Sequence, residues 1–228
     1  MTEAPPTLEL EGVSRFYGSS IALDRVTCAV GPGEVLFVLG ANGAGKSTLL
    51  ALAAGVLAPS EGEIRIRGRS GRRRDREQRA AVGYVSERPM LYGDLLLEEA
   101  LTLVAKAGNS PRRVSELIHE LELGTHALKR VRECSQGVLR RASFARALLL
   151  SPSIWLLDEP FTHLDVRSQE RTLELLKSEL ARGCGMLIAS HEEALLRALP
   201  GKVLFLDRGR RRQEVTDVPT AFAALRRP

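Results

Sequence analysis

A chain of 228 residues with 44% hydrophobic composition can bury one substantial core and is too short for two full enzymatic domains. Its 33 basic and 28 acidic residues leave a net charge of +5, which suits an anionic partner such as a nucleotide, nucleic acid or membrane surface, although the excess of Arg over Lys is a bias that genomic base composition also produces. No window approaches the roughly 18 apolar residues of a membrane span, and the start MTEAPPTLEL lacks the basic and apolar regions of a secretory signal, so a cytosolic protein is expected.

The segments at 8–13 (LELEGV), 25–30 (RVTCAV) and 63–68 (EIRIRG) are short, alternating and punctuated by Gly and Pro, which predicts half-buried antiparallel strands. At 34–40, EVLFVLG is a continuous apolar run ending in a glycine-rich turn, the mark of a strand buried on both faces. The run GRSGRRRDREQR at 68–79 has no aromatic residues to stack bases and reads as a solvated loop rather than a nucleic-acid patch. Apolar strand character returns at 81–85, 153–158, 186–190 and 202–207, with helical patterns between several of these segments. Such alternation predicts a mostly parallel sheet covered on both sides.

Between 88 and 150 the pattern is helical alone. Asp94 is expected to cap LLLEEALTLVAKAG, with Glu98 and Glu99 near its positive end and Gly108 after it. Ser110 and Pro111 open a second helix in which Val114, Leu117, Ile118 and Leu121 recur at i, i+3, i+4 and i+7. A third helix runs from about 137 to 150, and Pro152 stops it. No internal repeat is visible, and the segment 216–228 is too short for a regulatory domain. Cys28, Cys134 and Cys184 form no CxxC pair and have no His cluster beside them, so neither a disulfide framework nor a zinc site is expected.

GANGAGKST at 40–48 fits G-x-x-x-x-G-K-[ST] in full and stands between a buried strand and a helix. Gly40, Ala41, Asn42, Gly43, Ala44, Gly45, Lys46, Ser47 and Thr48 are therefore expected to hold a nucleotide triphosphate. Backbone N–H groups turn inward around the phosphates, and the helix adds its positive end. Lys46 would reach the β- and γ-phosphates, and the Ser47 hydroxyl would sit on Mg²⁺. IWLLDE at 154–159 then delivers Asp158 to the metal, and Glu159 to the place where an attacking water would lie. A carboxylate there can act as a general base, which points to hydrolysis more than to transfer.

With these motifs the chain resembles the nucleotide-binding subunit of an ATP-binding cassette (ABC) transporter, from about 8 to 207. The resemblance implies an α/β P-loop NTPase fold with a mostly parallel sheet, an antiparallel β subdomain and a helical insert, within a single ATP-binding domain spanning 1–228. The helical subdomain would occupy about 88–150, and the remainder would form a RecA-like core plus the β subdomain. It implies that Tyr17 stacks on adenine, that FTHLD at 161–165 is the D-loop ending in Asp165, and that His191 is the switch histidine on the γ-phosphate. CSQGV at 134–138 falls where the family has its signature, which contacts ATP held by a facing subunit. Ser135 and Gly137 keep the members with a clear physical task, while Cys134, Gln136 and Val138 replace the usual Leu, Gly and Gln. Arg141 and Arg146 match arginines of the family helix. Glu87 stands where the family has a glutamine joining the metal to the membrane partner, and His163 stands where a small residue is usual.

The implied activity is ATP hydrolysis with Mg²⁺, by a subunit that pairs with a second ATPase subunit, as a homodimer. It would power a separate integral membrane subunit from the cytoplasmic face of the cell membrane, with no nucleic acid involved. Small size, DEPFTHLD and a Ser-x-Gly signature are similar to the haem-exporter ATPases of cytochrome c maturation and to other small export ATPases, so an exporter is expected. The alternatives are a soluble ABC ATPase serving DNA repair, translation or iron–sulfur assembly, and a P-loop kinase, which would need an acceptor pocket and lid.

Overall fold

The computed structural model describes residues 6–70, 75–108, 110 and 112–215, the last four of these by their backbone alone. Pro111, the segment 216–228 and the centre of the charged run at 68–79 lie outside the described residues.

The chain opens with β1 (Leu8–Tyr17) and β2 (Ser20–Val30), an antiparallel pair that β4 (Glu61–Ile66) and the short β5 (Arg69–Ser70) extend into a four-stranded sheet of order β2-β1-β4-β5. β1 runs four residues past its expected end, because register shifts after Leu10 and Val13 let it keep pairing with β2 through a local bend. The second sheet is six-stranded, in the order β10-β9-β3-β8-β7-β6. Its members are β3 (Val35–Leu39), β6 (Val82–Val85), β7 (Ile154–Asp158), β8 (Gly185–Ala189), β9 (Lys202–Asp207) and β10 (Arg210–Val215). All neighbours pair in parallel except β10, which turns back on β9.

Every residue of β3, β7 and β8 is buried, as a strand covered on both faces requires. Successive side chains feed opposite cores. Phe37, Trp155, Leu157, Met186 and Ile188 join the cluster under the helices on one face. Leu36, Val38, Ile154, Leu156 and Leu187 join the cluster that includes Leu49, Leu50 and Leu52 of α1 (Lys46–Ala54) and Leu8, Leu10 and Leu23 of the antiparallel sheet.

The helical stretch consists of α3 (Leu97–Gly108), α4 (Val114–Glu120) and α5 (Gln136–Leu148), with two single-turn 3-10 segments before α5. Leu97 and Leu101 of α3, Leu117 of α4, and Phe144 and Ala145 of α5 lie in the same cluster as Phe37 and Trp155, so these helices share the core of the sheet. Three local expectations are corrected. Asp94 pairs with Arg132 and does not cap α3; the helix starts at Leu97, where the Leu96 N–H donates to Glu99 at 3.0 Å. The second helix starts at Val114, after Ser110 has used its hydroxyl to accept from the Arg112 N–H at 3.1 Å. Within the charged run, residues 76–80 form the helix α2 (Arg76–Ala80), because Asp75 and Gln78 make a reciprocal capping box. α6 (Val166–Ala181) and α7 (Glu193–Ala198) complete the α/β layer, and none of the described helices is long and apolar enough to cross a membrane.

Candidate nucleotide and hydrolysis site

β3 ends at Leu39, and the chain must then make a tight loop against two neighbouring strands. A side chain at Gly40 would come within 2.2 Å of the Leu206 carbonyl oxygen, and one at Gly45 within 2.6 Å of the Ala22 carbonyl oxygen and 2.8 Å of Leu23 Cδ2. Gly40 and Gly45 also have φ of 155° and 104°, so glycine is required there by both space and backbone conformation. α1 follows with Gly45 as its N-cap and no side chain accepting from the first turn, which keeps its N–H groups for an anion. Lys46 Nζ folds back over the loop and donates to the carbonyl oxygens of Gly40 at 2.7 Å and Ala41 at 3.1 Å.

Parallel pairing of β7 with β8 brings the ends of both strands beside this loop. Asp158, the last residue of β7, is 8% exposed. Burial pushes its carboxyl above the usual range, a hydrogen bond from the Ser47 hydroxyl pulls it down, the Glu159 carboxylate pushes it up, Arg140 pulls it down and Glu87 pushes it up. Ser47, Asp158 and the nearby Glu87 are hard oxygen donors in few numbers, which fits Mg²⁺ completed by phosphate oxygens and water. Among the described residues no group of three or more His, Cys, Asp and Glu could hold a metal alone.

Glu159 has φ 47°, held by its N–H bond to the Ala189 carbonyl oxygen at 2.8 Å. Its Oε1 lies 2.8 Å from His191 Nδ1, while its Oε2 is buried with no hydrogen-bond partner among the described residues. The His191 side chain is 83% exposed, so its ring faces out from the strand ends. This pair needs β7 and β8 to be neighbours, since 32 residues separate its members.

Ser135 and Gln136 are exposed at the start of α5, and Ser135 Oγ accepts from the Val138 N–H at 3.5 Å, a long capping bond. Gly137 packs under the 161–165 loop, where an added Cβ would stand 2.9 Å from the His163 carbonyl oxygen. Val138, which replaces a glutamine of the family pattern, is 3% exposed and joins the main core. The substitution therefore adds packing where a polar side chain is usual. Asp165 caps α6, accepting from the Ser168 N–H at 2.7 Å, and that bond holds its carboxyl below the usual range. Tyr17, at the end of β1, is 47% exposed with the Arg15 guanidinium 4.6 Å from its ring centre.

Of the two arginines matched to the family helix, Arg141 bonds the Leu121 and Glu122 carbonyl oxygens at 2.9 and 2.7 Å, and Arg146 bonds the Tyr84 carbonyl oxygen. Burial lowers the Arg146 guanidinium to about 10. Both act as anchors within the fold. The residue that sequence reasoning missed is Arg140, buried between Ser86 and Asp158. Its signal was available: with Phe144 and Ala147 it completes an i, i+4, i+7 stripe on the buried face of α5.

The ABC transporter family model matches residues 23–162. Nod factor export ATP-binding protein I of Paraburkholderia xenovorans is 34% identical over 222 residues, which cover 95% of this chain and 72% of that protein. A cytochrome c biogenesis ATP-binding export protein of Cupriavidus necator is 34% identical over 191 residues, covering 82% of this chain and 83% of that protein. A solved ATP-binding subunit of an ABC transporter superposes with a TM-score of 0.83 at 32% identity, covering 92% of this chain and 90% of that one. With a P-loop, a paired Asp158–Glu159 and His191 at one end of the parallel sheet, the chain belongs to the ABC transporter family, as an ATP-binding and ATP-hydrolysing subunit.

Proposed function

We propose that two copies of this chain close face to face around two ATP molecules, and that the closing and opening drive a separate membrane-spanning export subunit. The observation that carries this is the convergence of Lys46, Ser47, Asp158, Glu159 and His191 at the C-terminal ends of the parallel strands β3, β7 and β8. The exposed N-terminus of α5 supports a second, incoming copy. The loop at 40–48 cradles the triphosphate, with Lys46 on the β- and γ-phosphates and Tyr17 stacked on adenine. Ser47, Asp158 and Glu87 would hold Mg²⁺, which would neutralise phosphate charge. Glu159 takes a proton from the attacking water through Oε2, while its bond to His191 fixes the carboxylate and leaves the imidazole facing the γ-phosphate. From the other copy, Ser135, Gly137 and the helix N-terminus bind the same γ-phosphate, and Asp165 holds the D-loop against it.

The domain division proposed here is a single ATP-binding domain over 1–228, with 88–150 as its helical subdomain. The membrane subunit would dock near 85–95, where Met90 and Tyr92 expose apolar surface, placing this chain on the cytoplasmic face. Export is favoured over import because both relatives above are export ATP-binding proteins, and one of them belongs to cytochrome c biogenesis. The test is Glu159→Gln, which leaves ATP bound and unhydrolysed. Gel filtration with ATP should give a dimer, and detergent extracts should yield a co-purifying polytopic membrane protein. A monomeric elution, or recovery of ribosomes or nucleic acid instead, would overturn the proposal.

A further inference from the structure

The start of α5 carries adjacent arginines with opposite fates. Arg141 reaches out to the C-terminal end of α4, at Leu121 and Glu122. Arg140 points into the protein and is 4% exposed. Its Nη1 donates to the Ser86 carbonyl oxygen at 3.0 Å and to the Asp158 carbonyl oxygen at 3.4 Å. These carbonyls belong to separate pieces of the site. Ser86 follows β6 and immediately precedes Glu87, and Asp158 ends β7. One guanidinium therefore bridges the helix that carries Ser135 and Gly137, the loop that carries Glu87, and the strand that carries the acidic pair.

Burying a guanidinium is costly unless charge and hydrogen bonds offset the loss of water. Here burial lowers the Arg140 guanidinium, and the charges of Asp158, Glu87 and Glu159, in that order, together with the two carbonyl hydrogen bonds, offset part of that loss. Glu87 also lines the small cleft that contains Arg140, together with Gln136 and His163. The same arrangement solves a second difficulty. Three carboxylates close together repel one another. A fixed cation among them removes much of that repulsion without needing a proton.

We propose that Arg140 is a positioning residue for ATP hydrolysis: a buried counter-cation that holds the Glu87 loop and the end of β7 in one register with α5 and makes a carboxylate at 87 compatible with those at 158 and 159. The proposal rests on the ATPase site described above. Arginine suits the task because it stays charged and carries several donors, of which Nη1 alone reaches both carbonyl oxygens. Lysine keeps the charge as a single point, and glutamine keeps a donor but no charge, so the two substitutions separate the roles.

The test is a double-mutant cycle of Arg140→Gln with Glu87→Gln, read by steady-state ATPase and by urea unfolding of the nucleotide-free protein in a metal chelator. In the wild-type background Arg140→Gln should lower kcat at least ten-fold, with KM for ATP changed less than three-fold, and should lower the urea midpoint. In the Glu87→Gln background both penalties should shrink, the kcat penalty at least five-fold. Arg140→Lys should retain more kcat than Arg140→Gln. Equal penalties in both backgrounds, in either readout, would overturn the proposal. If Arg140→Gln alone is insoluble, a soluble double variant supports the charge compensation and an insoluble one refutes it. Wild-type protein that neither binds nor hydrolyses ATP would sink the ATPase reading, while the unfolding cycle would still report whether Arg140 and Glu87 are coupled.

Discussion

Gly137→Ala sets helix propensity against the demands of the site. Gly137 is the second residue of α5, and replacing a helical Gly by Ala generally favours the helix by up to about 1 kcal/mol. The added Cβ would stand 2.9 Å from the His163 carbonyl oxygen. A comfortable contact needs about 3.5 Å, so the first turn of α5 and the 161–165 loop would have to part by roughly half an ångström. Neither side gives easily. His163 is held at φ 66° between the buried Phe161 and Leu164, and α5 is held by the buried Val138 and Arg140. Overpacking of this kind costs about 1–3 kcal/mol, so the net loss of stability after the helix gain is about 0–2 kcal/mol. At this chain length that lowers Tm by at most about 8 °C, at roughly 2–4 °C per kcal/mol. The ATPase rate should fall much further, by about 10- to 100-fold, because a displacement of this size misplaces both the signature turn and the D-loop. Thermal unfolding and steady-state ATPase measured on the same preparation decide the matter. A raised Tm with an unchanged kcat would refute the reasoning, since it would mean that the contact with residue 163 has slack.

Two further outcomes follow from the buried cluster at the far end of β7. Burial, reinforced by the Glu179 carboxylate, pushes the Cys184 thiol from its ordinary 9.0 up to about 11, so the folded protein keeps a proton that the unfolded chain releases. Stability should therefore be fully present below pH 9 and decline between pH 9 and 11, by about 1.4 kcal/mol per pH unit. Cys184→Ala should flatten that part of the curve in urea titrations, and parallel curves for the two proteins would contradict the assignment. Trp155 is fully buried and its indole N–H donates to Glu179 Oε2 at 3.3 Å, so Trp155→Phe should cost about 2–4 kcal/mol in urea unfolding through lost volume and a weakened partner for a buried carboxylate. A change below about 1 kcal/mol would show that the site repacks freely.

What could be read before the structure was what the chain states locally. The loop at 40–48 carries its whole chemistry in consecutive residues, and β3, β7 and β8 declare themselves because burial on both faces demands unbroken apolar runs. β10 was missed because an antiparallel edge strand built from RRRQEV has no apolar period to betray it. Asp94 looked like a cap because its type and place were right, yet Arg132, 38 residues away, claims its carboxylate. Arg140 was legible only in part: its place on the buried face of α5 follows the helical period, but its partners lie at the ends of β6 and β7, an adjacency that no window of sequence contains. The Glu159–His191 contact is likewise non-local, and only a family resemblance could anticipate it.

These non-local contacts explain how the site holds its strained residues. Gly40 and Gly45 follow β3, and Glu159 and His163 follow β7, all with positive φ. For a non-glycine residue such a conformation costs about 1–3 kcal/mol and survives only where the surroundings over-determine it. At Glu159 the surroundings are specific. Asp158 pairs with Ala189 in the parallel ladder, the Glu159 N–H returns to the Ala189 carbonyl oxygen, and two residues further along the chain His191 takes Glu159 Oε1. One strand end thus sets the backbone of the proposed general base and supplies the residue that bonds its side chain. A shift in the register of β8 would move both together, so the geometry of hydrolysis is tied to the packing of the fully buried Leu187 and Ile188 on opposite faces of the sheet. The stability of that central strand is therefore a condition of the chemistry, although no side chain within it touches the nucleotide loop by way of a charge or a hydrogen bond among the described contacts.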